Sequence, residues 1–248
     1  MAHVDPAGPT SDMQFQRRQV CQVLDGAVVE RDLDLVVMGG TRAPGMSIID
    51  VTDPTAPSVL TTVSCGGFHS DVAVYENYVV QSWDGKPAPC ADGEPANPDN
   101  LGHAPGEEGI RIYDITDSAR PRLVKFYGRA DGIPAGVHNV TINGPAGLVY
   151  LNMAEFNADD PPWSFVDLND PELPVTLKSI WDWSPSAGDG CHDSSLSPQR
   201  GLYACAGITA SCIWDITSGV GRGQRVGTLD GRNISARPYL CHRHLGRP

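Results

Sequence analysis

The phrase Met46-Ser-Ile-Ile-Asp50-Val-Thr-Asp53-Pro54, followed by Pro57-Ser-Val-Leu-Thr-Thr-Val63, decides the fold class of this 248-residue chain. An apolar, β-branched run breaks at a turn rich in Asp, Thr and Pro and then resumes. That is a hairpin pattern with a mechanism, because the Asp carboxylate caps turn N–H groups and Pro presets φ. The phrase returns three times. Ile110-Arg-Ile-Tyr-Asp114-Ile-Thr-Asp117 leads to Pro121-Arg-Leu-Val-Lys-Phe-Tyr127, and Trp163-Ser-Phe-Val-Asp167-Leu-Asn-Asp170-Pro171 leads to Pro174-Val-Thr-Leu-Lys-Ser-Ile180. The fourth copy, Cys212-Ile-Trp-Asp215-Ile-Thr217 before Gln224-Arg-Val-Gly-Thr-Leu229, lacks the proline.

A further hairpin precedes each copy: 27–30 with 33–38, 71–74 with 78–83, 140–142 with 147–153, and 194–196 with 201–206. Each unit therefore reads as four antiparallel strands joined by short turns. The marker residues Asp50, Asp114, Asp167 and Asp215 recur at close to the period of propeller blades, and no room is left for crossover helices. The expectation is an all-β chain, a β-propeller of four-stranded antiparallel blades with about four blades present, in units near 22–67, 68–130, 131–188 and 189–232. Residues 1–21 are expected to form a poorly ordered extension. Residues 233–248 show no alternation and read as an atypical or truncated segment, which raises an incomplete ring as the alternative to a closed one.

The strings Ser47-Ile-Ile-Asp-Val-Thr-Asp-Pro54 and Arg111-Ile-Tyr-Asp-Ile-Thr-Asp117 resemble the LVIVD repeat, a bacterial propeller-forming motif found in surface and secreted proteins. The resemblance runs over about residues 22–230. It implies a β-propeller in an extracytoplasmic or cell-surface setting, usually with more copies than this chain carries.

The formal charge of -12 and pI of about 4.8 argue against nucleic-acid binding, since an acidic surface repels phosphate. No apolar run approaches the roughly 18 residues needed to span a bilayer. No secretory signal is visible in residues 1–18. A small ligand or a protein is the expected partner, and no motif encodes its identity or the oligomeric state.

Histidines stand just before the first strand of successive units, in Gly67-Phe68-His69-Ser70-Asp71, Gly136-Val137-His138-Asn139-Val140 and Gly190-Cys191-His192-Asp193-Ser194. His242 follows at a similar offset from Asp215. The first strand of a propeller blade lines the channel, so these imidazoles are expected to point toward one axis. A ring of neutral imidazoles suits a divalent metal ion such as Zn²⁺, Cu²⁺, Fe²⁺ or Ni²⁺. The opposing expectation is that each histidine staples its own blade, with the marker aspartates as partners.

The same end of the repeats is expected to carry Asp71, Asn139 and Asp193 as binding residues, with His103 in the long acidic connection 84–108 and Glu155 in the connection 154–162. The 84–108 stretch, rich in Pro and Gly, is expected to lack fixed structure. Two disulfides are candidates, Cys205 with Cys212 and Cys65 with Cys90, the first competing with a pair of buried thiols. The five tryptophans follow strand positions and are expected in the core. The sequon Asn139-Val-Thr141 falls in an inner strand, where a glycan has no room.

Two functions follow. One is a binding module whose channel mouth holds a ligand or protein. The other is a metal-dependent oxidoreductase or hydrolase, with His69, His138 and His192 as ligands and Glu155 or Asp193 as proton acceptor.

Overall fold

The computed structural model describes residues 10–24, 27–40, 45–63, 69–84, 108–128, 131, 133, 136–153, 164–170, 175–178, 191–207, 210–217 and 224–230. Among them sixteen strands form four antiparallel sheets, each of four strands in chain order. Sheet 1 contains β1 (Thr10–Leu24), β2 (Ala27–Gly40), β3 (Met46–Asp50) and β4 (Ser58–Val63). Sheet 2 contains β5 (Val72–Tyr75), β6 (Tyr78–Trp83), β7 (Gly109–Asp114) and β8 (Arg122–Tyr127). Sheet 3 contains β9 (Val137–Asn143), β10 (Leu148–Met153), β11 (Ser164–Asp167) and β12 (Val175–Lys178). Sheet 4 contains β13 (Cys191–Ser197), β14 (Leu202–Gly207), β15 (Ala210–Asp215) and β16 (Gln224–Asp230). The helical content of these residues is confined to short 3-10 turns such as Gly144–Ala146 and Pro198–Arg200. No helix among them is long and apolar enough to cross a membrane.

The chain divides into two compact units, Met1–Ala130 with sheets 1 and 2 and Asp131–Pro248 with sheets 3 and 4. The repeat is literal. Each marker aspartate ends the third strand of its sheet, opposite Leu35, Tyr78, Leu148 and Leu202 respectively. Its Oδ1 accepts the N–H of the residue two further on: Thr52 at 2.9 Å, Thr116 at 2.8 Å, Asn169 at 2.9 Å and Thr217 at 2.8 Å. The intervening residue donates its own N–H to the residue just before the one that faces the marker aspartate, as in Val51 to Asp34 O at 2.8 Å and Ile216 to Gly201 O at 2.7 Å. Every copy thus closes its turn with the same hydrogen bonds, of which the one to the Asp carboxylate is made locally by residues two apart.

The Thr217 hydroxyl and N–H, both donating to Asp215, hold that carboxyl below the ordinary carboxylate range. A depressed folded-state pKa means that the stabilisation is present above the unfolded value, about pH 4, and is lost as pH falls through the folded value. Asp215→Asn is therefore expected to flatten the acid limb of a stability-against-pH curve below about pH 4. An unchanged acid limb would show that the turn is not held by the carboxylate.

The first unit departs from the sequence reading in one respect. The residues 27–30 and 33–38, expected as two strands, form the single strand β2, and the first strand of sheet 1 is Thr10–Leu24. The extension expected to be poorly ordered at 1–21 therefore supplies Thr10–Cys21 to the sheet, and the first unit starts before residue 22. The physical reason lies in the turn chemistry. Leu24 pairs with Ala27 across Asp25-Gly26, the dipeptide favoured in two-residue hairpin loops, whereas Arg31-Asp32 lacks the glycine that such a loop favours. The expectations for 84–108 and 233–248 fall, apart from Asp84 and Glu108, outside the described residues.

Within the first unit, Leu33, Leu35, Val37, Met46 and Ile48 of sheet 1 bury against Val72, Val79, Tyr113 and Ile115 on sheet 2. Arg18 of β1 reaches across to sheet 2. Its Nη1 donates to Ile115 O and to Ser118 Oγ, the latter at 3.1 Å, and its Nη2 donates to Asn77 Oδ1 at 2.8 Å. Burial lowers the Arg18 pKa from its ordinary value, partly offset by the charge of Asp114. In the second unit Leu148 and Tyr150 of sheet 3 pack on Tyr203, Cys205, Cys212 and Trp214 of sheet 4.

Candidate functional site

The candidate site lies at the end of each sheet where the first strand begins, and register decides what that end presents. In β9, Asn139 pairs with Asn152 while Val137 pairs with Met153, so His138 is an extra residue with no ladder partner. In β13, Asp193 pairs with Ala206 and Cys191 with Gly207, so His192 is the extra residue. These are β-bulges at one position in two sheets. A bulge bends its strand and re-aims the extra side chain. The two imidazoles meet, with ring centroids 4.2 Å apart and planes tilted by 54°, and His192 is exposed.

The first sheet carries the same bulge without a histidine. Thr10 pairs with Gly40 and Met13 with Met38, which leaves Ser11 and Asp12 opposite Gly39. Sheet 2 lacks it. Val72 pairs with Gln81 and His69 bridges Asp84 in unbroken register, with backbone N–H groups donating both ways at 3.4 and 3.2 Å. His69 therefore stands two residues before Asp71, whereas His138 and His192 stand one residue before Asn139 and Asp193. The expected equivalence of three histidines is corrected to an equivalent pair, because an insertion in the ladder is invisible to offsets counted along the chain.

What does recur in three sheets is the residue after the bulge position. Asp71, Asn139 and Asp193 share one ladder position, opposite Ser82, Asn152 and Ala206. Asp71 Oδ1 accepts the N–H of Val72 at 2.7 Å, and Asp193 Oδ1 accepts that of Ser194 at 2.6 Å. Two of the expected binding residues are thus occupied in shaping their own strand entry. Asn139 is buried in β9, as expected of an inner strand.

The marker aspartates are not partners of the histidines in their own sheets. Asp167 stands opposite Leu148 and His138 beside Met153, five residues along β10, or about 17 Å at the rise of a strand. A staple from His138 to the marker aspartate of its own sheet fails on that separation. Among the described residues no group of three or more His, Cys, Asp or Glu side chains is placed to hold a metal ion. His242, His103, Glu155, Cys65 and Cys90 lie outside the described residues.

The chain matches no protein-family model and no curated protein. Its chemistry is read from its own geometry.

Cys205 and Cys212 are directly opposed, yet Cys205 enters a disulfide and Cys212 is a buried thiol outside any disulfide, so the expected bridge between them is corrected. The Ile216 to Gly201 bond sets the alternation that makes this a hydrogen-bonded pair. Its Cβ atoms sit at the wide end of the cross-strand range, about 5.5 Å apart, beyond the roughly 3.5–4.5 Å a disulfide needs.

Sequence reasoning also missed a polar cluster beneath the histidine pair. Asn152, fully buried, donates from Nδ2 to Ser194 Oγ at 2.9 Å and to Thr141 Oγ1 at 3.2 Å. Its Oδ1 accepts from Tyr203 OH at 2.8 Å. Burial pushes the Tyr203 phenol far above its ordinary range, so it stays protonated and remains a donor. At the matching end of sheet 2, the buried guanidinium of Arg111 stacks 3.4 Å from the Trp83 ring centroid, which places Trp83 in the core as expected. Here Gly39 is a requirement: a Cβ on it would lie 1.9 Å from Ser70 O, so only glycine lets β2 meet the entry of sheet 2.

Proposed function

We propose that this chain is an LVIVD-type β-propeller acting as a ligand- or protein-binding module, with the first-strand entry of its second unit as the binding surface. Four sheets of one strand order, closed by one type of Asp turn, support stacked blades, since a twisted sheet buries its two faces only against neighbours. The observation that carries the site is the His138–His192 pair, two imidazoles on matching bulges with centroids 4.2 Å apart. An imidazole pair can exchange hydrogen bonds with a small polar ligand or a partner side chain, and the strands and the Asn152 cluster hold this pair in place. An extracytoplasmic or cell-surface setting goes with the repeat type.

The second reading is a metal-dependent oxidoreductase or hydrolase at the same histidines. The imidazole pair favours it too, but catalytic zinc sites take three protein ligands and an open position. Elemental analysis of protein purified without chelator separates the two. The binding module predicts no stoichiometric transition metal, and a His138→Gln/His192→Gln variant that melts like the parent. A full equivalent of metal that the double variant loses would transfer the assignment to the enzyme.

A further inference from the structure

Strand β14 has two neighbours, and a cysteine stands on each. Cys212 faces Cys205 from β15 and is outside any disulfide, although Cys205 enters one. On the other side β13 begins at Cys191, which pairs with Gly207. Gly207 lies two residues beyond Cys205 on the same strand, so alternation puts the Cys191 rung on the same face as Cys205. Residues one diagonal apart in a regular ladder are about 7–8 Å apart. Between these two lies the His192 bulge, and a bulge bends its strand and adds twist, which shortens one diagonal toward the roughly 4.4–6.8 Å between Cα atoms that a disulfide spans. Glycine at 207 leaves the rung itself without a side chain in the way.

The far side of this bulge needs an anchor. In β9 the residue before the bulge, Val137, is fully buried and holds by packing. Its counterpart in β13 is Cys191, and the rung to Gly207 is all the ladder that β13 has beyond its bulge. A rung at a strand end frays, and a one-residue slip there would absorb His192 into the ladder and turn its side chain away from His138. The near side is already fixed: Asp193 Oδ1 accepts the Ser194 N–H at 2.6 Å, and Ser194 Oγ accepts from Asn152 Nδ2 at 2.9 Å.

We propose that Cys205 is bridged to Cys191 and that the bridge clamps the His192 bulge, so that His192 is held against His138 only while the bridge is closed. A dithiol opens it: the Sγ–Sγ bond breaks, two electrons and two protons pass to the two sulfurs as thiols, and the reagent closes into its own disulfide. As a control on ligand capture, the clamp rests on the binding role proposed for the imidazole pair.

Trypsin cuts after Lys178, Arg200 and Arg222, so a digest made without reductant after thiol blocking should yield peptides 179–200 and 201–222 joined as one species. Fragmentation should place the link at Cys205 and the blocking group at Cys212. A link from Cys205 to any other cysteine overturns the proposal. Diethyl pyrocarbonate, which carbethoxylates accessible imidazoles, then reads the clamp. In Cys191→Ser/Cys205→Ser, His138 should react severalfold faster than in the oxidised parent, while His69 in the other compact unit keeps its rate. An unchanged His138 rate overturns the clamp, and so does a rise that His69 shares, which marks general unfolding. Should the serine variant fail to fold, the parent measured before and after reduction by a dithiol gives the same comparison with the same two outcomes. Neither readout uses a ligand, so a different bridge leaves the binding role standing, and loss of that role leaves the bridge.

Discussion

Trp214→Ala should destabilise the second unit by about 3–5 kcal/mol, read as a shift of the urea midpoint at unchanged slope. The indole is fully buried, 5.9 Å from the Tyr203 ring, and Tyr203 in turn stacks on Tyr150 of the neighbouring sheet at 5.1 Å. These aromatics tie sheet 4 to sheet 3. Truncation removes both the transfer free energy of the ring and the contacts of its neighbours, and strands fixed in a ladder collapse poorly around the space left. A loss under about 1 kcal/mol would mean that the two sheets do not share a packed core.

Asn152→Leu should cost about 2–4 kcal/mol although the replacement is similar in size and more apolar. The amide accepts from Tyr203 OH and also serves Ser194 and Thr141. Leucine would take this acceptor from the buried Tyr203 hydroxyl, at about 1–3 kcal/mol, and would remove the amide's bonds to Ser194 and Thr141, which keep their bond to each other at 2.6 Å. The companion change Tyr203→Phe removes one stranded group, so the double variant should recover part of the loss, and a double-mutant cycle should give a coupling of about 1 kcal/mol or more. Strict additivity would show that the Tyr203–Asn152 bond contributes nothing. Because Ser194 adjoins Asp193 and the His192 bulge, the single variant should also weaken ligand capture at the imidazole pair.

How far these residues could be read beforehand depends on the range of the interaction concerned. Asp50, Asp114, Asp167 and Asp215 were legible because an Asp turn is made by residues two apart, and each forms it. Asn152, Ser194 and Tyr203 were not, since they come from three strands of two sheets and carry no periodic signal. The Asp25-Gly26 dipeptide could have revealed β1, but the polar sequence of 10–22 lacks the clean alternation by which strands are recognised.

The sequence by itself determined the antiparallel, four-strand repeat seen among the described residues, almost without helix, and the ends of most third and fourth strands, because turn chemistry and period-two alternation act within a few residues. Only the tertiary structure decided which histidines are equivalent, which cysteines can bridge and which face each sheet offers its neighbour. One extra residue in a ladder, at His138 or His192 but not before Asp71, shifts everything beyond it relative to the partner strand. That shift is set by pairing across strands, and a count along the chain does not contain it.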